Sequence, residues 1–87
     1  MLFLWYMAKG ISKRNYKDEQ LLAFIGARIK ETRLSKDISV AVLANECKVD
    51  SSQIGRMEHG KVNFSISTLH RIARALQADP KDLLPPL

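Results

Sequence analysis

From Asp50 to Lys61 the chain reads DSSQIGRMEHGK. An aspartate suited to capping precedes two serines, a glutamine and an arginine on what the spacing predicts to be one short helix, closed by Gly60. These side chains donate and accept hydrogen bonds, so the chemistry open to them is recognition. Bond-making chemistry has almost nothing to stand on elsewhere. His59 and His70 are isolated, neither has an acid at metal-ligand spacing, and no glycine loop cradles a phosphate. Cys47 has no obvious base and sits in AVLANECKV, which reads as a buried helix face. No catalytic residue, metal or cofactor is expected, and the chain does not read as an enzyme.

The elements that must carry this helix are also helical, since no alternating strand pattern, internal repeat or low-complexity tract occurs. Leu22, Ile25 and Ile29 recur at helical spacing in DEQLLAFIGARIKETRLSK, with Asp18 or Glu19 at the positive end of a first helix. Ser39 can cap a second, short helix holding Leu43, Ala44 and Cys47, although Val42 stands where a capping box needs Glu or Gln. Asp50 caps a third with Ile54 and Met57 inward. Ser65 or Ser67 opens a fourth with Leu69, Ile72, Ala73 and Leu76 inward. Asp79-Pro80 begins a fifth through Leu83 and Leu84, stopped by Pro85-Pro86. About three residues separate the second and third helices, and small Ala44 sits where their axes should cross. With Leu43, Cys47, Val49, Ile54 and Met57 beneath, the pair reads as a helix-turn-helix whose second member faces a groove.

Length and charge are consistent with a small binding domain. Eighty-seven residues make one core near the lower limit for folding without disulfides or metal. The lone Cys47 fits a reducing compartment, so the cytoplasm is expected. The formal charge is +5, but residues 1–17 hold Lys9, Lys13, Arg14 and Lys17 with no acid, leaving 10 − 9 = +1 for residues 18–87. Any nucleic-acid contact by the body therefore depends on where its charges sit. Residues 1–17 read as an apolar then basic arm, and residues 18–87 as the folded domain. The opening MLFLWYM is far short of the roughly 20 residues that span a bilayer, and its lysines follow the apolar run, unlike those of a secretory signal. No membrane association is expected; a translation start at Met7 or a frayed end is the simpler account of the first six residues, and an apolar arm that docks on a partner is the alternative.

The segment IGARIKETRLSKDISVAVLANECKVDSSQIGRMEHGKVNFSISTLHRIARALQADPKDLL resembles the lambda-repressor-like, Cro-type (XRE) helix-turn-helix domain over about residues 21–84. RIKETR, the LA of VLANE, IGRMEHGK and TLHRIARAL carry the likeness. The resemblance implies an all-α, compact five-helix DNA-binding domain with residues 51–58 as the recognition helix in the major groove. Ser51, Ser52 and Arg56 then fall where members touch base edges, with Gln53 beside them and Gly55 giving the backbone room. Arg56 carries the most information, because its planar fork can donate two bonds to guanine O6 and N7, worth about 1–3 kcal/mol of discrimination. Lys61 matches a phosphate contact, and His59 lies close enough to the helix end to approach one. Arg33 and Glu58 match a partly buried ion pair between the first helix and the recognition helix.

Three residues depart from the family pattern. Val40 replaces a phosphate-binding glutamine, so that contact is absent or falls to a neighbour such as Ser39. Lys48 replaces the usual turn glycine, where a left-handed backbone costs about 1–2 kcal/mol; the turn is strained or differently shaped. Phe64 replaces a frequent proline and is open to a role in a subunit contact. The implied function is a sequence-specific, double-stranded DNA-binding transcriptional regulator, a restriction-modification controller being one such kind. Homodimerisation on a pseudo-palindrome is expected, with Leu83, Leu84 and Leu87 as the dimer surface. Two alternatives stay open: the antitoxin of a toxin-antitoxin pair, binding a toxin protein and repressing its own operon, and a protein-interaction module that does not use DNA.

Overall fold

The computed structural model describes residues 17–86. Four α-helices follow one another: α1 Glu19–Ser35, α2 Val40–Cys47, α3 Ser51–Glu58 and α4 Ile66–Leu76, then a 3-10 turn at Pro80–Leu83. The described residues contain no strand. Among the described residues the fold is thus all-helical with four helices, not five. The fifth expected helix is a single tight turn, because Pro85 and Pro86 follow too soon for a second turn of hydrogen bonds.

Three of the four α-helix starts are local side-chain caps. The Asp18 carboxylate accepts from the Leu21 N–H, the Ser39 hydroxyl from Val42 and the Ser65 hydroxyl from Thr68. Asp50 opens α3 without such a side-chain bond. All four helices end alike, and the reason is backbone geometry. After each, one residue takes a left-handed conformation: Asp37 at φ 55, Lys48 at 58, Gly60 at 71 and Gln77 at 54. The next N–H then reaches back along the chain, from Ile38 to the Arg33 carbonyl, Val49 to Ala44, Lys61 to Arg56 and Ala78 to Ala73. Ile38, Val49 and Ala78 simultaneously pack against the core, which offsets the strain of a left-handed residue carrying a Cβ. Lys48 therefore makes the same turn that glycine would, at higher conformational cost.

The core is one cluster drawn from every element: Ile25 and Ile29 of α1, Leu43, Ala44 and Cys47 of α2, Ile54 and Met57 of α3, and Leu69, Ile72, Ala73 and Leu76 of α4. Leu83 of the 3-10 turn joins it, wholly buried. That removes Leu83 from the expected dimer surface: the turn packs on α1 and α4, and Leu83 seals the gap between them. Leu84 is 39% exposed, and Leu87 lies outside the described residues, as does the arm up to Tyr16. Phe64 is half-buried against the core.

Candidate nucleic-acid interface

The period of 3.6 residues divides α3 into two faces. Ile54 and Met57 point into the core, and on the opposite side Ser52, Gly55, Arg56 and His59 follow at helical spacing as one outward stripe. Ser51, Ser52 and Arg56 are exposed, while Gln53, one turn before Met57, lies half-buried at the edge of the stripe. A Cβ built on Gly55 would meet nothing within 4 Å, so the backbone is bare toward solvent at the middle of the stripe. The His59 ring Nδ1 lies 2.7 Å from the Gly55 carbonyl, folding the imidazole back over the helix end.

Which cations are left without a protein partner is informative. Arg28, Arg33, Lys36 and Arg71 spend guanidinium or ammonium donors on backbone carbonyls or carboxylates of other elements. Lys17 donates to the Lys61 carbonyl at 3.2 Å. Lys48, Arg56 and Lys61 are exposed and make no such side-chain bond among the described residues, and all three lie on the turn, the outward stripe or the loop after it. Lys30 of α1 and Arg74 of α4 are likewise exposed without such a bond, so three of these five cations surround α3, although the net charge of residues 18–87 is only +1. Ser39 sits at the other end of the motif, its hydroxyl oxygen accepting the Val42 N–H at 3.1 Å and its proton left to donate. Val40 beside it packs half-buried against the core and offers no polar group.

Two devices fix α3 against α1. Arg33 grips Glu58 with both arms of its fork, Nε to Oε2 at 2.7 Å and a terminal nitrogen to Oε1 at 3.1 Å, while its other nitrogen donates to the Ile38 carbonyl at 3.0 Å. The two side chains are only 9% and 5% exposed, and Glu58's hydrogen bond holds the guanidinium still more firmly charged than usual. The second device is absence of side chain. A Cβ on Gly26 would stand 2.6 Å from the Glu58 carbonyl oxygen and closer still to that of Met57, so α1 touches α3 backbone to backbone. Gly60 does the same from the other side, its would-be Cβ 2.9 Å from the Ala23 Cα.

A family model for the helix-turn-helix domain matches residues 25–87. The control protein C.BamHI of Bacillus amyloliquefaciens is 38% identical over 60 residues, 68% of this chain and 74% of that protein. The chain belongs to the Cro-type (XRE) helix-turn-helix family. Among solved structures, the restriction-modification controller protein C.AhdI from Aeromonas hydrophila is 33% identical with a TM-score of 0.70, covering 72% of this chain and 96% of that one. The hypothetical transcription factor NHTF from Neisseria is 28% identical with a TM-score of 0.72, covering 85% and 86%. Like its family, the protein is a DNA-binding transcriptional regulator.

Within this family member, sequence reasoning missed several residues that hold the interface in place. Gly26 left a legible signal, because glycine in the middle of a helix costs up to about 1 kcal/mol and so marks a close approach. Lys36, whose ammonium reaches the Leu76 and Gln77 carbonyls at 2.6 and 3.0 Å, left none. Neither did Arg28, which reaches the Asp82 carbonyl at 3.1 Å, nor Arg71, which reaches that of Cys47 at 3.1 Å. Their partners lie 24 to 54 residues away in the chain, beyond any periodic pattern.

Proposed function

We propose that the protein reads a specific DNA sequence by setting the outward stripe of α3 in the major groove, with Arg56 bidentate to a guanine and Ser51, Ser52 and Gln53 on neighbouring base edges. The observation that carries this is the unpaired, exposed Arg56 one turn after Ser52, on a helix whose middle is left bare by Gly55. Lys61, His59 and Ser39 hold the flanking phosphates from the two ends of the motif, and the Arg33–Glu58 pair fixes the angle at which α3 leaves the body. One eight-residue helix reads only a few base pairs, so two copies act together on a two-fold symmetric site. The likeness to C.BamHI and to C.AhdI supports a restriction-modification controller as the biological setting.

Fluorescence-anisotropy titration tests the reading with the duplex upstream of the protein's own gene against a shuffled duplex, at physiological salt. The wild type should prefer the native duplex, and Arg56→Ala should lose about 5- to 150-fold of that preference, the span of one bidentate arginine–guanine pair. Equal, weak binding of both duplexes by the wild type would refute base reading on this DNA. Sedimentation of the same mixtures reports whether two copies load per duplex.

A further inference from the structure

The C-terminal half of α3 is anchored directly, by Arg33, Gly26 and Gly60, whereas its N-terminal half, where Ser51 and Ser52 lie, is held to the core by the buried Ile54 and has no side-chain hydrogen bond to α1. What sets that end is the three-residue elbow leaving α2, and the elbow begins at Cys47. The turn hydrogen bonds use the Ala44 and Asn45 carbonyls, which leaves the Cys47 carbonyl unclaimed by the backbone turn. Arg71, from the middle of α4, donates to it at 3.1 Å, and the Cys47 thiol in turn reaches the Arg71 carbonyl at 4.0 Å. Lys36 meanwhile ties α1 to the end of α4 with two bonds, and Arg33 ties α1 to α3. Three basic side chains thus link α3 to α1, α1 to α4 and α4 to α2, and the covalent elbow from α2 to α3 closes the ring.

We propose that Arg71 is a positioning residue for DNA reading: by clamping the last carbonyl of α2 it fixes where the left-handed turn at Lys48 launches the recognition helix. The assignment rests on the base-reading role of α3 proposed above. It differs from general stabilisation because it acts on one end of the helix. Without the clamp, the elbow and the first turn of α3 move, while the end held by Arg33 stays. Arg74 provides the control, since it lies on α4 with Ser67, His70 and Arg71 and lines with them and Glu46 of α2 the same open groove of about 410 Å³, yet makes no bond to α2 among the described residues.

Amide hydrogen exchange on the full chain gives a first readout that needs no operator. In Arg71→Ala the amides of Lys48, Val49, Gln53 and Ile54, all hydrogen-bonded in the elbow or first turn, should exchange about tenfold faster, those of Gly60 and Lys61 should not change, and Arg71→Lys should restore part of the protection. The Arg74→Ala profile should match the wild type. Acceleration spread evenly over all amides, or none, overturns the assignment. In vitro selection from a random duplex library, followed by competition with singly substituted duplexes well below each variant's Tm, gives the second readout. Base pairs that respond to Ser51, Ser52 or Gln53 substitution should lose about threefold of their discrimination in Arg71→Ala, while the one that responds to Arg56 stays within about twofold. A shift equal at all positions overturns the Arg71 role alone. A wild type that enriches no motif overturns base reading, and the Arg71 role with it.

Discussion

Substituting Arg33 with alanine removes three hydrogen bonds at once, two to Glu58 and one to the Ile38 carbonyl. It also leaves the Glu58 carboxylate without its partner at 5% side-chain exposure. An exposed pair would be worth under about 1 kcal/mol. This one is shut away from water, so breaking it from one side is expected to cost about 3–5 kcal/mol, most of it the unpaired carboxylate rather than the missing attraction. A chain of 87 residues has a total stability of about 4–13 kcal/mol at ~0.05–0.15 kcal/mol per residue, so the variant loses roughly a quarter of it or more. The Tm should fall by at least about 12 °C, at roughly 4 °C or more per kcal/mol for a domain of this size. Urea unfolding followed by circular dichroism measures the loss directly. Replacing both partners, Arg33→Met with Glu58→Leu, should recover most of it, because no charge is then buried alone. A single-variant loss below about 1 kcal/mol would refute the reasoning, since the pair would then behave as a solvated surface contact. Equal losses in the single and double variants would show that packing of the arginine stem, not the charge, is what matters.

Gly26→Ala should destabilise by about 1–3 kcal/mol in the same urea assay, since its Cβ meets the Met57 and Glu58 carbonyls, whereas Gly55→Ala should stabilise by up to about 1 kcal/mol and yet weaken DNA binding in anisotropy titrations. Lys48→Gly relieves the left-handed strain at φ 58, and a rise in stability of up to about 1 kcal/mol is expected from thermal melts. The Cys47 thiol is pushed above its ordinary value of 9.0 chiefly by burial, so the folded chain holds its proton longer than the unfolded chain; that stability is complete below pH 9 and declines as pH rises beyond it, and alkylation at pH 8 should proceed only at the rate of unfolding. Replacing Lys9, Lys13, Arg14 and Lys17 with glutamine should lower the slope of log affinity against log salt by about 0.9 for each phosphate that is no longer neutralised; an unchanged slope would show that the basic arm does not touch DNA.

Much of this architecture is local and therefore legible from the chain alone. Asp18, Ser39 and Ser65 announce helix starts because a cap is made within three residues, and the inward positions of all four helices follow from a period that each helix carries by itself. The outward stripe of α3 is the complement of Ile54 and Met57, so it too was written in twelve consecutive residues. Other features exist only once distant segments meet. Leu83 and Leu84 are alike in sequence, and the packing of the 3-10 turn on α1 and α4 buries the first and exposes the second. Lys48 could have been an interrupted turn; Val49 packing on the core is what holds it left-handed despite its Cβ. Arg71, Lys36 and Arg28 look like ordinary solvated cations until the folded chain brings an unclaimed carbonyl within 3.1 Å of each. The sequence by itself determined the helices and the outward stripe of α3, because those depend on neighbours three or four residues apart. The tertiary structure alone decided how rigidly that face is held, because the bonds that hold it join residues 24 to 54 positions apart.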